Sequence, residues 1–300
     1  MSFTTAQTIV HETTPAGINV VPTGAALGAE VHGVDLRRVD DALFGAIHQA
    51  WLDHSVLLFR GQALTDEGLA GFSRRLGDLD LAPVQENGRA SVEGHPEIYI
   101  VSNVLGADGA PIGSLGAGEA VWHTDMSYLP RPPKASLLYA LEIPPAGGDT
   151  WFSDMRAAFD RLPEALKRRA EGLRVKHDGT YNSGGFVRAG VTPTDDLRAS
   201  PGMLHPLVCR HPENGRRMLY LGRRRNAYIE GFPLAESEAL LDEIWGHATA
   251  DAISWRHRWQ VGDLVLWDNR STMHRRDPFS AEARRVMHRT QVKGNAPPAA

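Results

Sequence analysis

The sequence predicts a mostly-β protein with helical insertions, a β-sandwich or jelly roll. Three observations lead there. From Ile98 onward, short apolar runs alternate with turn-forming clusters, the pattern of many short strands. Two segments, at about 155–169 and 234–248, carry helical spacing and interrupt that series. Neither an internal repeat nor a linker divides the 300 residues, so one domain over 1–300 is expected.

Taken in order, Ile18-Asn-Val-Val-Pro22 and Ala29-Glu-Val-His-Gly33 are expected as two strands joined by a Gly-bearing turn. Asp40 or Asp41 suits the cap of a helix whose Leu43, Phe44, Ile47 and Trp51 recur at helical spacing. Val56-Leu-Leu-Phe59 is a buried-strand candidate, and Thr65-Asp66-Glu67 opens a helix ending near Leu76-Gly77. Later strands are expected at 98–101, 135–141, 150–152, 173–175, 207–209, 218–221, 253–259, 263–267 and 285–291. The helix at 234–248 is amphipathic through Leu234, Leu240, Leu241 and Ile244. Residues 104–119, with five glycines, and 179–202, rich in Gly, Ser, Asp and Pro, are long irregular stretches of the sort used as lids. Residues 295–300 read as a frayed, disordered tail.

Composition excludes several classes. Hydrophobic residues at 42% with charged residues at 23% describe a soluble globular chain. A net charge of -4 gives no support for nucleic-acid or anionic-membrane binding. The lone Cys209 rules out an internal disulfide framework. The N-terminus lacks the basic and apolar regions of a signal peptide, and no run approaches the ~18 apolar residues of a membrane span. A cytoplasmic protein is expected.

Chemistry-bearing residues converge on His123, Asp125 and His274. Trp122-His123-Thr124-Asp125 places a histidine and a carboxylate two residues apart, on one face if the segment is extended. Thirteen histidines and twenty aspartates in 300 residues lead chance alone to about one His-x-Asp, so the pair proves nothing by itself. Two His-x-Glu pairs, His95-Pro-Glu97 and His211-Pro-Glu213, are poorer candidates; Asn214-Gly215 after the second marks a hairpin turn. Two histidines and one carboxylate leave the opposite face of a metal open, which suits a non-haem Fe(II) oxygenase. In the strand expected at 285–291, Arg285, Met287, Arg289 and Gln291 share one face, and the pattern leaves open whether it is the inner one. Arg285 and Arg289, roughly 13 Å apart along a strand, suit two different anions.

These residues resemble the taurine dioxygenase and phenoxyacetate-herbicide dioxygenase family of Fe(II)/2-oxoglutarate enzymes, from about Pro22 to Gly294. The resemblance is carried by Trp122-His-Thr-Asp125, Pro144-Pro-Ala-Gly-Gly-Asp-Thr150, Trp267-Asp-Asn-Arg270, His274 and Arg284-Arg-Val-Met-His-Arg289, with Ser153-Asp-Met-Arg-Ala-Ala158 closer to the herbicide branch. It implies a single catalytic domain folded as a double-stranded β-helix (jelly roll, cupin-like), with Fe(II) held by His123, Asp125 and His274. It also implies that Thr150 and Arg285 hold the distal carboxylate of 2-oxoglutarate and that Arg289 faces the acid group of the substrate. O₂ is the second cosubstrate, and succinate and CO₂ are the coproducts. Asp125 favours hydroxylation over halogenation, where related enzymes carry a small residue.

Departures from taurine dioxygenase bear on substrate. Its sulfonate-binding histidine falls at Ala82, the next pocket tyrosine at Gln85, and a cofactor-contacting asparagine at Glu119. With Met126 and Tyr128 lining a more apolar pocket, the resemblance favours an aryloxyalkanoate-like acid over taurine among small carboxylates, sulfonates and sulfate esters. Relatives form dimers and tetramers, so a homo-oligomer is expected. Two other readings use the same residues. A zinc-dependent hydrolase or lyase leaves Arg285 unexplained, and a non-catalytic small-acid-binding protein would bind ligand without turnover.

Overall fold

Leu264-Val265-Leu266-Trp267 shows no polar alternation because the strand Leu264–Asp268 is covered on both faces. In the computed structural model, which describes residues 12–13, 17–83 and 91–300, it lies at the middle of a nine-stranded sheet. The order across that sheet is Glu12–Thr13, Asn19–Pro22, Ala29–His32, Val56–Phe59, Leu264–Asp268, Ala135–Glu142, Val286–Val292, Tyr99–Ser102 and Ser114–Leu115. Pairing is antiparallel except for Ala29–His32 on Val56–Phe59 and Tyr99–Ser102 on Ser114–Leu115. A second, four-stranded antiparallel sheet runs Ser254–His257, Thr150–Asp154, Thr272–Arg276, Ala120–His123.

Period-two alternation divides the central strands between two cores. Val265, Trp267, Leu138, Ala140 and Met287 form one apolar cluster with Phe152 of the small sheet, so the two sheets face each other. Leu264, Leu266, Leu137 and Tyr139 point the other way, onto Ile47 and Trp51 of helix Asp41–His54 and Leu69 and Phe72 of helix Asp66–Arg74. The far side of the small sheet, through Met273, meets Phe159, Leu241 and Ile244 of the later helices. Each such large side chain contributes about 1.5–3 kcal/mol by leaving water. The four layers hold the small sheet rigidly, and that sheet carries the two histidines.

Caps follow the sequence. Asp40 Oδ1 accepts from the Leu43 N–H at 2.8 Å, and Thr65 Oγ1 from Gly68 at 3.1 Å. The second helix ends at Arg74 rather than near Leu76-Gly77, because its last turn tightens into Leu76 N–H to Ser73 and Gly77 N–H to Arg74 bonds. The helix expected over 155–169 is two, Met155–Arg161 and Glu164–Ala170. Pro163 explains the break: it lacks an N–H and forces Leu162 out of the helical region, at φ -59 and ψ 140. Val208–Arg210 and Arg217–Leu219 form the hairpin that Asn214-Gly215 marks. Strands Gly202–Pro206 and Thr272–Arg276 were not foreseen. Within 295–300, expected as a frayed tail, the Ala299 carbonyl accepts from the Arg210 N–H at 3.0 Å. Among the described residues no helix is long and apolar enough to cross a membrane.

Candidate metal and cofactor site

The ladder of the small sheet sets His274 directly opposite His123, with ring centroids 4.1 Å apart. The strand stops at His123, so His123 and Asp125 do not share a strand face as the His-x-Asp spacing suggests. The chain instead turns, with Met126 left-handed at φ 47 and the Leu129 N–H on the Met126 carbonyl, and the turn returns Asp125 to the histidines. Asp125 Oδ1 lies 3.6 Å from His123 Nε2 and 3.9 Å from His274 Nε2. All three side chains are buried.

Protonation follows from the partners. His123 Nδ1 sits 2.8 Å from the Val121 carbonyl, to which it donates, so the Nε2 lone pair faces the centre. Burial pushes both imidazoles below the usual histidine range, strongly so for His274, and they stand neutral. Burial opposes the charge on Asp125, yet the Arg289 guanidinium beside it holds its carboxyl well below the usual carboxylate range. Ser136 Oγ donates to Asp125 Oδ2 at 2.9 Å and accepts from Asn269 Nδ2 at 2.7 Å. Asn269 is held in turn by Trp267 Nε1 at 2.9 Å.

This donor set fits a divalent metal. Two neutral imidazole nitrogens and a carboxylate oxygen lie within 4.8 Å of one another. Donors at about 2.1 Å from one ion and at right angles stand roughly 3 Å apart, so binding requires a closure of no more than about 2 Å. Neither His-x-Glu pair joins the group: His211 Nε2 is 2.9 Å from Asp268 Oδ2, and Glu97 receives Arg74 at 2.7 Å.

A cavity of about 480 Å³, mouth included, is lined by His123, His274, Thr150, Arg276, Arg285 and Arg289 over an apolar floor of Val101, Leu138 and Trp267. Arg285 is only 2% exposed and its Nε has no partner. Burial, with repulsion from Arg276, pushes its pKa down to about 9, the signature of a cation lacking its anion. Thr150 Oγ1 accepts from Trp259 Nε1 at 3.0 Å, which leaves its hydroxyl proton free for an anion in the cavity. Gly147 and Gly148, at φ 77 and 69, let the preceding loop pass close by; a Cβ on Gly148 would stand 3.4 Å from Arg285 Nε, and one on Gly147 2.6 Å from the Pro278 carbonyl. Glu119, expected at the cofactor, is exposed, and alternation turns its neighbour Ala120 into the cavity instead.

The expected substrate residues divide. Arg289 lines the cavity, but its Nη1 is already 3.2 Å from Asp125 Oδ1 and its guanidinium lies 4.9 Å over the Tyr99 ring. Tyr128 walls a second, open cavity of about 890 Å³ with Tyr99, Asn182 and Arg188, the last stacked 4.2 Å over it. Ala82 packs beside the inter-sheet core, and its neighbour Pro83 reaches the second cavity. Met126 is half-buried and lines neither cavity. Gln85 lies outside the described residues.

Sequence reasoning missed Arg276, Trp259, Ser136 and Asn269. Alternation from His274 would have found Arg276, which is buried on the same face and donates to the Leu115 carbonyl at 3.0 Å and to that of Gly118. In the last strand, Met287, Arg289 and Gln291 prove to be the inner set, while His288 and Thr290 bond Asp66 and Ser73 of the covering helix.

Known proteins resemble this chain over most of its length. The family described as taurine catabolism dioxygenase TauD, TfdA family matches residues 19–291. The chain is 35% identical to (S)-phenoxypropionate/alpha-ketoglutarate-dioxygenase of Delftia acidovorans, over 92% of this chain and 95% of that one. It is 36% identical to alpha-ketoglutarate-dependent 2,4-dichlorophenoxyacetate dioxygenase of Cupriavidus pinatubonensis, over 92% and 97%. Among solved structures, a taurine dioxygenase from Burkholderia xenovorans superposes with TM-score 0.74 at 35% identity, covering 93% of this chain and 92% of that one. AAD-2 in complex with Mn(II) and N-oxalylglycine superposes with TM-score 0.75 at 31% identity, covering 93% and 98%. The chain belongs to the TauD/TfdA family of α-ketoglutarate-dependent dioxygenases.

Proposed function

We propose that the protein is an Fe(II)- and 2-oxoglutarate-dependent dioxygenase that hydroxylates a small organic anion, an aryloxyalkanoate-like acid ahead of taurine. In the reaction 2-oxoglutarate, O₂ and substrate become succinate, CO₂ and hydroxylated substrate. The observation that carries this reading is the unpartnered, buried Arg285 in the same cavity as the two-histidine, one-carboxylate triad. A zinc hydrolase has no use for that anion clamp.

In this reading His123, Asp125 and His274 hold the metal, which when bound supplies the redox chemistry with O₂. The chain's own groups position and exclude. Arg285 and Thr150 hold the distal carboxylate of 2-oxoglutarate, the first by charge and the second by its free hydroxyl proton. Val121 fixes the His123 tautomer, and Ser136 fixes the Asp125 carboxylate. Val101, Leu138 and Trp267 keep water from the floor of the cavity.

The two facing sheets, with the triad on the edge of the smaller, support a double-stranded β-helix. Residues 104–119 and 179–202 act as lids in this proposal. Leu115 and Ser183 reach the first cavity, and Asn182 and Arg188 the second. Cys209 is buried, its thiol pushed up to about 12, as suits an inert cysteine in a reducing cytoplasm. Ala82, which has no side-chain donor for a sulfonate, supports an acid with an apolar body. The named activities of relatives on phenoxypropionate, 2,4-dichlorophenoxyacetate and sulfate esters define the classes to try.

The test is succinate release across aryloxyalkanoates, alkyl sulfates and sulfonates, with and without O₂. The proposal predicts O₂-dependent succinate stimulated by at least one aryloxyalkanoate. Substrate turnover that persists without O₂ would favour the zinc enzyme instead.

A further inference from the structure

Trp259 Nε1 donates to Thr150 Oγ1 at 3.0 Å and so fixes one half of the carboxylate clamp from behind. Trp259 belongs to neither neighbouring strand: Ser254–His257 ends two residues before it, and Leu264–Asp268 begins five residues after it. The segment between them crosses from the four-stranded sheet to the nine-stranded one. Such a crossing has no ladder to aim its side chains, so the aim of the indole comes from side-chain contacts.

Asp263 supplies those contacts on both sides of the indole. Its Oδ2 accepts from the Gln260 N–H at 2.9 Å, which fixes the residue after Trp259. The same oxygen lies 3.1 Å from His257 Nε2, two residues before Trp259. The His257 ring meets the indole edge-on at 4.5 Å between centroids, and the ladder sets His257 opposite Thr150. Asp263 is itself anchored to the large sheet. The Ala140 N–H donates to the Asp263 carbonyl, and the Gly262 N–H to the Ala140 carbonyl, both at 2.9 Å.

An uncharged turn residue would cap Gln260 equally well, yet position 263 carries a fully buried acid. Arg60 Nη1 meets it at 2.9 Å, again on Oδ2, while Oδ1 has no hydrogen-bond partner among the described residues. Burial holds His257 below the usual histidine range, so the ring stands neutral and Arg60 is the balancing cation. One oxygen shared by Arg60, Gln260 and His257 cannot rotate away from Trp259.

We infer that Asp263 is a positioning residue of the 2-oxoglutarate clamp, resting on the dioxygenase reading above. By bracketing Trp259 it aims the indole N–H at Thr150, whose hydroxyl proton is left for the distal carboxylate. Arg60 acts one step further out, by holding Asp263. Among the described residues Asp263 neither hydrogen-bonds nor ion-pairs with His123, Asp125 or His274, so the metal site lies off this path.

The test has two readouts. In metal-free protein, the Trp259 indole N–H resonance is identified by its loss in Trp259→Phe, and Thr150→Val shows where it moves when the bond is broken. Asp263→Ala should shift it in the same direction. In Fe(II)-loaded anaerobic protein titrated with 2-oxoglutarate, Asp263→Ala should weaken binding by up to about five-fold, no more than Trp259→Phe does. The double variant should lose no more than Trp259→Phe alone, and Fe(II) affinity should stay at the wild-type value. Arg60→Gln, at a half-buried position, should move both readouts the same way, and it carries the same cycle if Asp263→Ala does not fold. An indole resonance unmoved in these variants would overturn the inference. So would losses that multiply in the double variant, or Fe(II) affinity falling in step with 2-oxoglutarate affinity, the mark of a merely structural carboxylate. Wild-type protein that binds no 2-oxoglutarate is a separate result, which refutes the dioxygenase reading and leaves the indole shift to judge Asp263.

Discussion

Ser136 Oγ donates to Asp125 Oδ2 at 2.9 Å, which leaves Oδ1 as the oxygen facing His123 and His274. The hydroxyl also accepts from Asn269 and from Gln291 Nε2 at 3.2 Å, so its rotation is fixed from two sides. Ser136→Ala is expected to lower metal affinity by about 10–100-fold while the fold is kept. Metal titration followed by tryptophan fluorescence reads this directly. Wild-type affinity would mean that the 124–129 turn alone orients the carboxylate.

Arg285→Ala should raise the 2-oxoglutarate requirement by about 10–100-fold, the loss of a charge-assisted contact of about 1.5–3 kcal/mol. Metal binding should stay near wild type, because Arg285 touches none of the three ligands. Equal loss of both affinities would show that Arg285 shapes the metal site rather than clamping the cosubstrate.

Trp259→Phe removes the donor that occupies Thr150 Oγ1 from behind. The Thr150 hydroxyl then rotates freely, and 2-oxoglutarate affinity should fall about five-fold, the worth of one neutral hydrogen bond near 1 kcal/mol. The companion Thr150→Val should cost at least as much. A Trp259→Phe protein with unchanged cosubstrate affinity would place the control of Thr150 elsewhere.

Asp268 tests the scaffold rather than the site. It is 1% exposed, accepts from Arg270 at 2.8 and 2.7 Å and lies 2.9 Å from His211 Nε2. Burial opposes its charge, but Arg270 and His211 hold the carboxyl far below its ordinary value. A depressed folded value means stabilisation that is fully present above the unfolded value of about 3.9 and is lost as pH falls below it. Asp268→Asn should therefore cost about 3–5 kcal/mol at pH 7, with the gap to wild type narrowing in acid. Urea unfolding at pH 7 and at about pH 3.5 checks both the size and the sign.

What the sequence revealed, and what it hid, follows one physical line. Apolar strands such as Val56–Phe59 and Leu264–Asp268 announce themselves because burial alone explains their residues. The strand Thr272–Arg276, which carries His274, does not: Thr-Met-His-Arg-Arg looks solvent-facing until its buried polar groups find partners in the site. His123, Asp125, His274, Thr150 and Arg285 were identifiable from spacing and resemblance, and they converge in space. Ser136 and Trp259 were not, because a side chain that acts by holding another leaves no spacing signal, and Asn269 stands in the Trp267-Asp-Asn-Arg270 motif without a role that the motif itself reveals. Glu119 lies exposed just before the strand Ala120–His123, while its neighbour Ala120 lines the cavity.

The most direct measurement is an anaerobic titration of the Fe(II)-loaded protein with 2-oxoglutarate, followed in the visible range. Direct chelation of the metal by the keto acid predicts a charge-transfer band that saturates with one equivalent of 2-oxoglutarate and is lost in Asp125→Ala and His274→Ala. Metal-loaded wild-type protein that develops no such band, and forms no succinate when O₂ is admitted with any of the anions above, would contradict the assignment.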